Sequence, residues 1–210
     1  MHHRRVHIVA IAVLCLSVAA SAQEKTVKLP GHVGAAIGKP GAPLVLVEFT
    51  DIECPNCKDF HREVFDKLKA EYIDTGKVLF IHRDLPLPNH HTAVIAAHAI
   101  RCAGDQGLFW ALRHVLLANE KLSPDVVELG ARLVTADLGL FRTCMRDGQH
   151  LAEIERDVAD ARAVGAKNTP TIILGRMVPD GIEGTMISGT ATFEELDTRI
   201  KALLAAPTKK

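Results

Sequence analysis

The chain has 210 residues, with 25 basic and 25 acidic side chains balancing to zero and 48% of its residues apolar. That balance argues against a dedicated nucleic-acid binder and against a strongly acidic interaction tail, and the length suits one globular domain with room for an insertion. Five cysteines are more than a core needs for packing, so their spacing and the compartment they fold in become the first questions.

Residues 1–22 read as a secretory signal peptide. Arg4 and Arg5 precede an apolar run over 8–20, and Ala20, Ser21 and Ala22 form a small-residue cleavage signal. Thirteen apolar residues are too few for a membrane anchor, which needs about 20. Bulky Leu14 argues against lipid attachment at Cys15. Removing those 22 residues and their two arginines leaves 188 residues, 23 basic against 25 acidic side chains, a charge of about −2 and four cysteines. The export signal implies a periplasmic or cell-envelope location where disulfides persist, with no stable membrane insertion once the signal is cleaved.

Residues 23–43 are polar and rich in Gly and Pro and are expected to wrap the domain ahead of its first strand. Residues 44–49, LVLVEF, make an apolar run of strand length, expected of a strand covered on both faces. Glu48 interrupts it. A carboxylate there either points to a strand end or is a buried group with a role in proton transfer.

The next stretch, FTDIECPNCK over 49–58, holds the chemistry. Pro55 suits the first position of a helix, which makes Cys54 the residue before it. A sulfur there faces unsatisfied amides and the positive end of the helix dipole, both of which favour thiolate. Cys54 is the expected nucleophile and Cys57, one turn in, the less exposed resolving thiol. A CxxC can also be half of a zinc site, but no second close pair of ligands accompanies this one, so no metal is expected. His90, His91, His98 and His114 contain no i, i+4 histidine pair and read as surface or core residues.

Phe60, Val64, Phe65, Leu68 and Tyr72 fall on one helical face, and Gly76 supplies a stop. Residues 78–81, VLFI, make a second buried strand, ending in His82, Arg83 and Asp84; a solvated strand end is the commoner explanation of such charges, the alternative being that Arg83 pairs with an acid near the site. Pro86 and Pro88 force a turn. Residues 89–164 are helical in pattern, with breaks at 104–107, at Ser123-Pro124 and near Gly148. Cys102 and Cys144 lie within that block and, in an oxidising compartment, are expected to form a structural disulfide, the alternative being two separately buried thiols. Thr169-Pro170 precedes a short strand and is a candidate cis bond. Asp180-Gly181 marks a hairpin turn, and Thr192 with Glu195 makes a capping box at the start of the last helix.

With VEFTDIECPNC, RDLPLP, RCAGDQGLFW and NTPT in this order over most of the mature chain, the sequence resembles the DsbA-like thiol:disulfide oxidoreductases of the thioredoxin superfamily. The resemblance implies an α/β thioredoxin fold with an inserted α-helical subdomain. The thioredoxin-like part would be 44–88 with 165–205, the insertion 89–164 and the lead-in 23–43. It implies Cys54 as attacking and Cys57 as resolving cysteine, Glu48 as a buried catalytic acid, and a substrate-binding rim of Pro55, Asn56, Thr169 and cis-Pro170. No cofactor is implied. The implied partners are reduced or unfolded exported proteins and a quinone-linked membrane protein that restores the disulfide.

The chain departs from the strongly oxidising prototype in carrying Pro-Asn between its cysteines. Asn56 brings no positive charge, and Asp51 and Glu53 flank the motif, so a nucleophile less acidic than the prototype's ~3.5 is expected. The leading expectation is a periplasmic thiol oxidase. The family's isomerases commonly dimerise through an extra N-terminal domain, for which about twenty residues before the core leave too little, so a monomer is expected. A reductase or isomerase with the site kept reduced, or a non-enzymatic holdase for unfolded chains, are the alternatives.

Overall fold

The computed structural model describes residues 25–32 and 34–206; the signal peptide expected over 1–22 lies outside them. The fold is built on a six-stranded sheet: β1 (Thr26–Leu29), β2 (Ala36–Ile37), β3 (Leu44–Thr50), β4 (Val78–Asp84), β5 (Thr171–Val178) and β6 (Gly181–Ser188), in the order β1-β6-β5-β3-β4-β2. β3 runs parallel to β4 and antiparallel to β5, and β5 and β6 form a hairpin. All seven residues of β3 are buried, as its unbroken apolar run requires.

Helices cover both faces. After β3 the chain forms α1 (Pro55–Phe60), a π-helical turn (His61–Phe65), α2 (Asp66–Leu68) and a second π-helical turn (Lys69–Ile73), ending near Gly76 at φ +78°. Together with α8 (Phe193–Ala205), this segment packs Phe60, Phe65, Leu68, Leu196 and Ile200 onto Leu44, Leu46, Phe80 and Leu174 of one sheet face. The other face, carrying Val45, Val47, Phe49, Ile81 and Ile173, meets Ala161 and Val164 of α7 (Leu151–Val164). α7 closes an insertion between β4 and β5 that begins with α3 (Ala93–Gly104), α4 (Phe109–Leu117), α5 (Pro124–Val134) and α6 (Leu138–Asp147). These helices have their own core, which Ile52, Cys54 and Cys57 join. This is a thioredoxin fold with an inserted helical subdomain.

Ser123, Asp137 and Thr192 cap their helices as the pattern predicts, Thr192 with the full capping box to Glu195. Two expectations need correction. The stretch 23–43 does more than wrap the domain, because β1 and β2 in it form both sheet edges. They are so short that alternation hardly registers in the sequence: Val27 and Leu29 face in, Thr26 and Lys28 out. And His82, Arg83 and Asp84 are not a solvated strand end, since each is at most 1% exposed. Partners from distant helices make burial of those charges possible.

Candidate active site

The parallel pairing of β3 with β4 leaves the end of β3 at a helix start, and the sequence there supplies the redox pair. Cys54 is extended (φ −65°, ψ 125°) immediately before α1, and Pro55 occupies the first helical position, where its missing N–H costs nothing. The backbone N–H groups of Cys57 and Lys58 donate to the Cys54 carbonyl at 3.1 and 3.2 Å, closing the first turn. Both cysteines are free thiols, Cys54 at the lip of the core (4% exposed) and Cys57 wholly inside (0%).

The antiparallel register places Phe49 of β3 opposite Thr171 of β5, which carries the segment just before β5 to the motif. The Thr169-Pro170 bond there is cis. Cys54 Sγ lies 3.4 Å from the Thr169 carbonyl oxygen, to which it donates when protonated. Strand pairing thus joins segments 115 residues apart into one site.

The two thiols are opposed in acidity. The Cys57 thiol, hydrogen-bonding to the Cys54 sulfur, draws the Cys54 pKa down from 9.0 to about 5; burial works against this, while the Thr169 side chain and the Cys57 and Asn56 amides support it. Cys57 is pushed well up, first by burial, then by its role as donor to Cys54, then by the charge of Glu48. At neutral pH Cys54 is therefore a thiolate and Cys57 a thiol.

Asp51 and Glu53, expected to oppose the thiolate, turn their carboxylates elsewhere. One Asp51 oxygen accepts from the Glu53 amide at 2.8 Å; the other accepts from the Leu87 amide at 2.7 Å and pairs with His90 Nδ1 at 2.8 Å. Glu53 accepts from the Thr92 amide at 2.7 Å, where α3 begins. The two acids pin the 85–92 loop beside the motif.

Glu48 is buried at 0% exposure with one oxygen accepting from Arg113 Nη2 at 2.6 Å and the other without a hydrogen-bond partner. Arg113 comes from α4, is 1% exposed, and also donates through Nε to His82 Nδ1 at 3.2 Å. From His82 the polar chain continues to Asp84 (2.9 Å), from Asp84 to Arg101 of α3 (2.5 Å), and from Arg101 to Asp157 of α7. Arg83 of β4 meets the same Asp157 at 3.1 Å. Charges of alternating sign thus bridge β3, β4, α3, α4 and α7 beneath the redox pair. An arginine does not give up its proton, so Arg113 fixes Glu48 in place without relaying protons onward. Sequence reasoning missed Arg113, although the signal was present: it shares a helical face with Phe109, Leu112, Leu116 and Leu117, and an arginine on an apolar stripe needs a buried acid.

Beside the motif a groove of about 350 Å³ is lined by Asn56, Asp59, Phe60, Val64, Ala191 and Phe193 among others, giving it an apolar floor and a polar edge next to the cysteines. Cys102 of α3 and Cys144 of α6, 42 residues apart, are joined by a disulfide with Cα atoms 5.7 Å apart. His90 and His98 are tied into the structure or its interior, and His114 meets His61 at 3.0 Å.

The model of the thioredoxin family matches residues 32–202. The Na(+)/H(+) antiporter NhaA 1 of Salinispora arenicola is 33% identical over 168 residues, covering 78% of this chain and 25% of the antiporter. The chain thus spans about a quarter of the length of the antiporters it matches. The probable disulfide bond formation protein D of Bacillus cereus is 28% identical over 147 residues, 65% of this chain and 68% of that protein. Among solved structures, alpha-DsbA1 of Wolbachia pipientis superposes with a TM-score of 0.72 at 25% identity, covering 80% of this chain and 89% of that one. No helix among the described residues is long and apolar enough to cross a membrane.

Proposed function

The chain belongs to the thioredoxin family, and we propose that it is a DsbA-like protein-disulfide oxidoreductase of the periplasm that oxidises cysteine pairs in exported proteins. The observation that carries the reading is the geometry of the pair: free Cys54 at the start of α1 with its sulfur 3.4 Å from the Thr169 carbonyl before Pro170, and Cys57 fully buried behind it, an arrangement that favours opposed acidities. A stabilised Cys54 thiolate favours the reduced form of the pair, and a pair whose reduced form is stabilised is a strong oxidant. That property favours oxidation over reduction or isomerisation.

In the forward reaction a substrate thiolate attacks Cys54 Sγ of the closed disulfide. The Cys54–Cys57 bond breaks, a mixed disulfide forms at Cys54, and Cys57 leaves and takes up a proton, which its buried surroundings beside Glu48 favour. The second substrate thiolate then attacks the substrate sulfur of the mixed disulfide and expels Cys54 as its stable thiolate. Two electrons have passed from substrate to enzyme. Thr169, Pro170, Pro55 and Asn56 would hold substrate backbone against Cys54, and a quinone-linked membrane protein would reclose the pair.

The test is the Cys57→Ala variant. In this variant the Cys54 thiolate can still attack disulfides of exported proteins, the reverse of the release step, and without Cys57 to expel them the mixed disulfides should accumulate; wild-type Cys54 and Cys57 should be found mostly oxidised in the cell. A pair found mostly reduced would reverse the proposed direction; the absence of trapped adducts would remove the enzymatic reading.

A further inference from the structure

His98 is 4% exposed, and its Nε2 is buried without a hydrogen-bond partner. Such a nitrogen costs about 1–3 kcal/mol, so its surroundings call for an explanation. His98 stands one helical turn before Cys102 on α3, on the same face. The disulfide brings Cys144 of α6 to that face, and a ring nitrogen of His98 and the two sulfurs all lie within 4.8 Å of one another. A carboxylate oxygen of Asp105 and a ring nitrogen of His150 also lie within 4.8 Å of the Cys144 sulfur and of each other. Asp105 holds His150 Nε2 at 3.0 Å, and the His98 and His150 rings meet with centroids 6.4 Å apart.

Two sulfurs and two imidazoles are a zinc donor set, and a carboxylate behind an imidazole is the usual device for aiming it. Thiolate ligands also disfavour magnesium and calcium. We propose that reduction of the Cys102–Cys144 bond opens a zinc site built on the preformed trio Cys102, Cys144 and His98, with His150, held from behind by Asp105, turning in beside Cys144 as the fourth ligand. His150 keeps Asp105 on Nε2 and gives up its Nδ1 contact to Glu153, at 3.3 Å, in favour of the metal. The sulfurs need to stand about 3.8 Å apart on a tetrahedral ion with Zn–S bonds of ~2.3 Å, which side-chain rotation supplies from Cα atoms 5.7 Å apart.

The exchange balances with a dithiol as reductant. The dithiol closes to a disulfide and delivers two electrons and two protons, the Cys102–Cys144 bond breaks to two thiols, and zinc binding expels both thiol protons. Bond and metal are then alternative fasteners of α3 to α6. The His32, Asp157 and Asp160 cluster has comparable spacing but carries no such site, because the Arg83 guanidinium already sits on both carboxylates.

The experiment uses the full chain with Cys54→Ala and Cys57→Ala, so that the redox pair contributes no thiolate. The reduced protein, freed of dithiol, is titrated with Co²⁺ while its circular dichroism is followed. A thiolate-to-cobalt charge-transfer band saturating at one equivalent, displaced by Zn²⁺ and absent from the oxidised protein, is expected with helix content retained. His98→Ala should weaken binding about 100-fold or more, exceeding the 10–100-fold typical of an outer-shell loss. No band in the reduced protein overturns the proposal. So does a band indifferent to His98→Ala, which is what metal capture by an unfolded chain would give.

Discussion

Cys54 and Cys57 lie three residues apart at the start of one helix, whereas Cys102 and Cys144 lie 42 residues apart on two helices and are bonded. Closing the first pair constrains a single turn and leaves the fold unchanged, so it can open and close during a reaction. Closing the second restricts a long loop, which on the chain-entropy account removes about 4 kcal/mol of freedom from the unfolded chain. Their surroundings differ in the same sense. All four sulfurs border the core of the helical block, but Cys54 has amides, a neighbouring thiol and a helix N-terminus to stabilise its charge, while Cys102 and Cys144 are bonded to each other across α3 and α6. Local spacing with charge-stabilising donors makes a reactive pair; long spacing across two helices makes a fastener.

Substitution of Cys54 by alanine is the largest perturbation this division predicts. Exchange with a disulfide peptide should be abolished, with the helix content of the fold retained. By contrast, Cys102→Ala with Cys144→Ala should leave the exchange rate within about twofold and lower stability to urea by about 4 kcal/mol. A large loss of exchange in that double variant, its fold intact, would show that the two pairs are not separate in role. Arg113→Met probes the link between them, since Arg113 is rooted in the helical block and holds Glu48 under Cys57. Leaving a buried carboxylate unpaired should cost about 3–5 kcal/mol, measured by the same urea titration, and Arg113→Lys should recover part of it.

The reactive pair was far more legible in the sequence than the structure that supports it. CPNC at the junction of an apolar run and a helical pattern, the Thr169-Pro170 step before a strand, and the caps at Ser123 and Thr192 are all local signals, and each lies where the pattern puts it. The partner of Glu48 lies 65 residues away on a helix whose rotation no pattern fixes in advance. Asp51 and Glu53 read as neighbours of a thiolate because they are close in sequence; their real partners, Leu87, His90 and Thr92, arrive with the loop after β4. His98 and Cys102 stand at i, i+4 in the sequence, a spacing that means nothing by itself; only the approach of α6 with Cys144 gives it a meaning.

The smallest predicted effect is also the most specific to the reactive pair. With Cys102–Cys144 left closed and the motif reduced, thiolate absorbance should titrate with a midpoint of about 5 for Cys54. Cys57→Ala should move that midpoint upward, because the largest stabilising contact, the Cys57 thiol, is lost. Stability should follow the same group. Its folded pKa lies below its unfolded value of 9.0, so its contribution is complete above about pH 9 and is lost as the pH falls through about 5. Cys57, shifted the other way, contributes its own slope only where the unfolded thiol ionises, near pH 9 and above, so the Cys54 contribution is read on the acid side of that range. His61, lowered to about 3 chiefly by burial and then by Arg113 and His114, also loses stabilisation as the pH falls, but over the range below its ordinary 6.5. Subtracting the profile of Cys54→Ser, which keeps His61, isolates the cysteine. A difference that is flat between pH 9 and 5 would mean that the thiolate is not held by the fold, and the contrast between the two pairs would then rest on loop length alone.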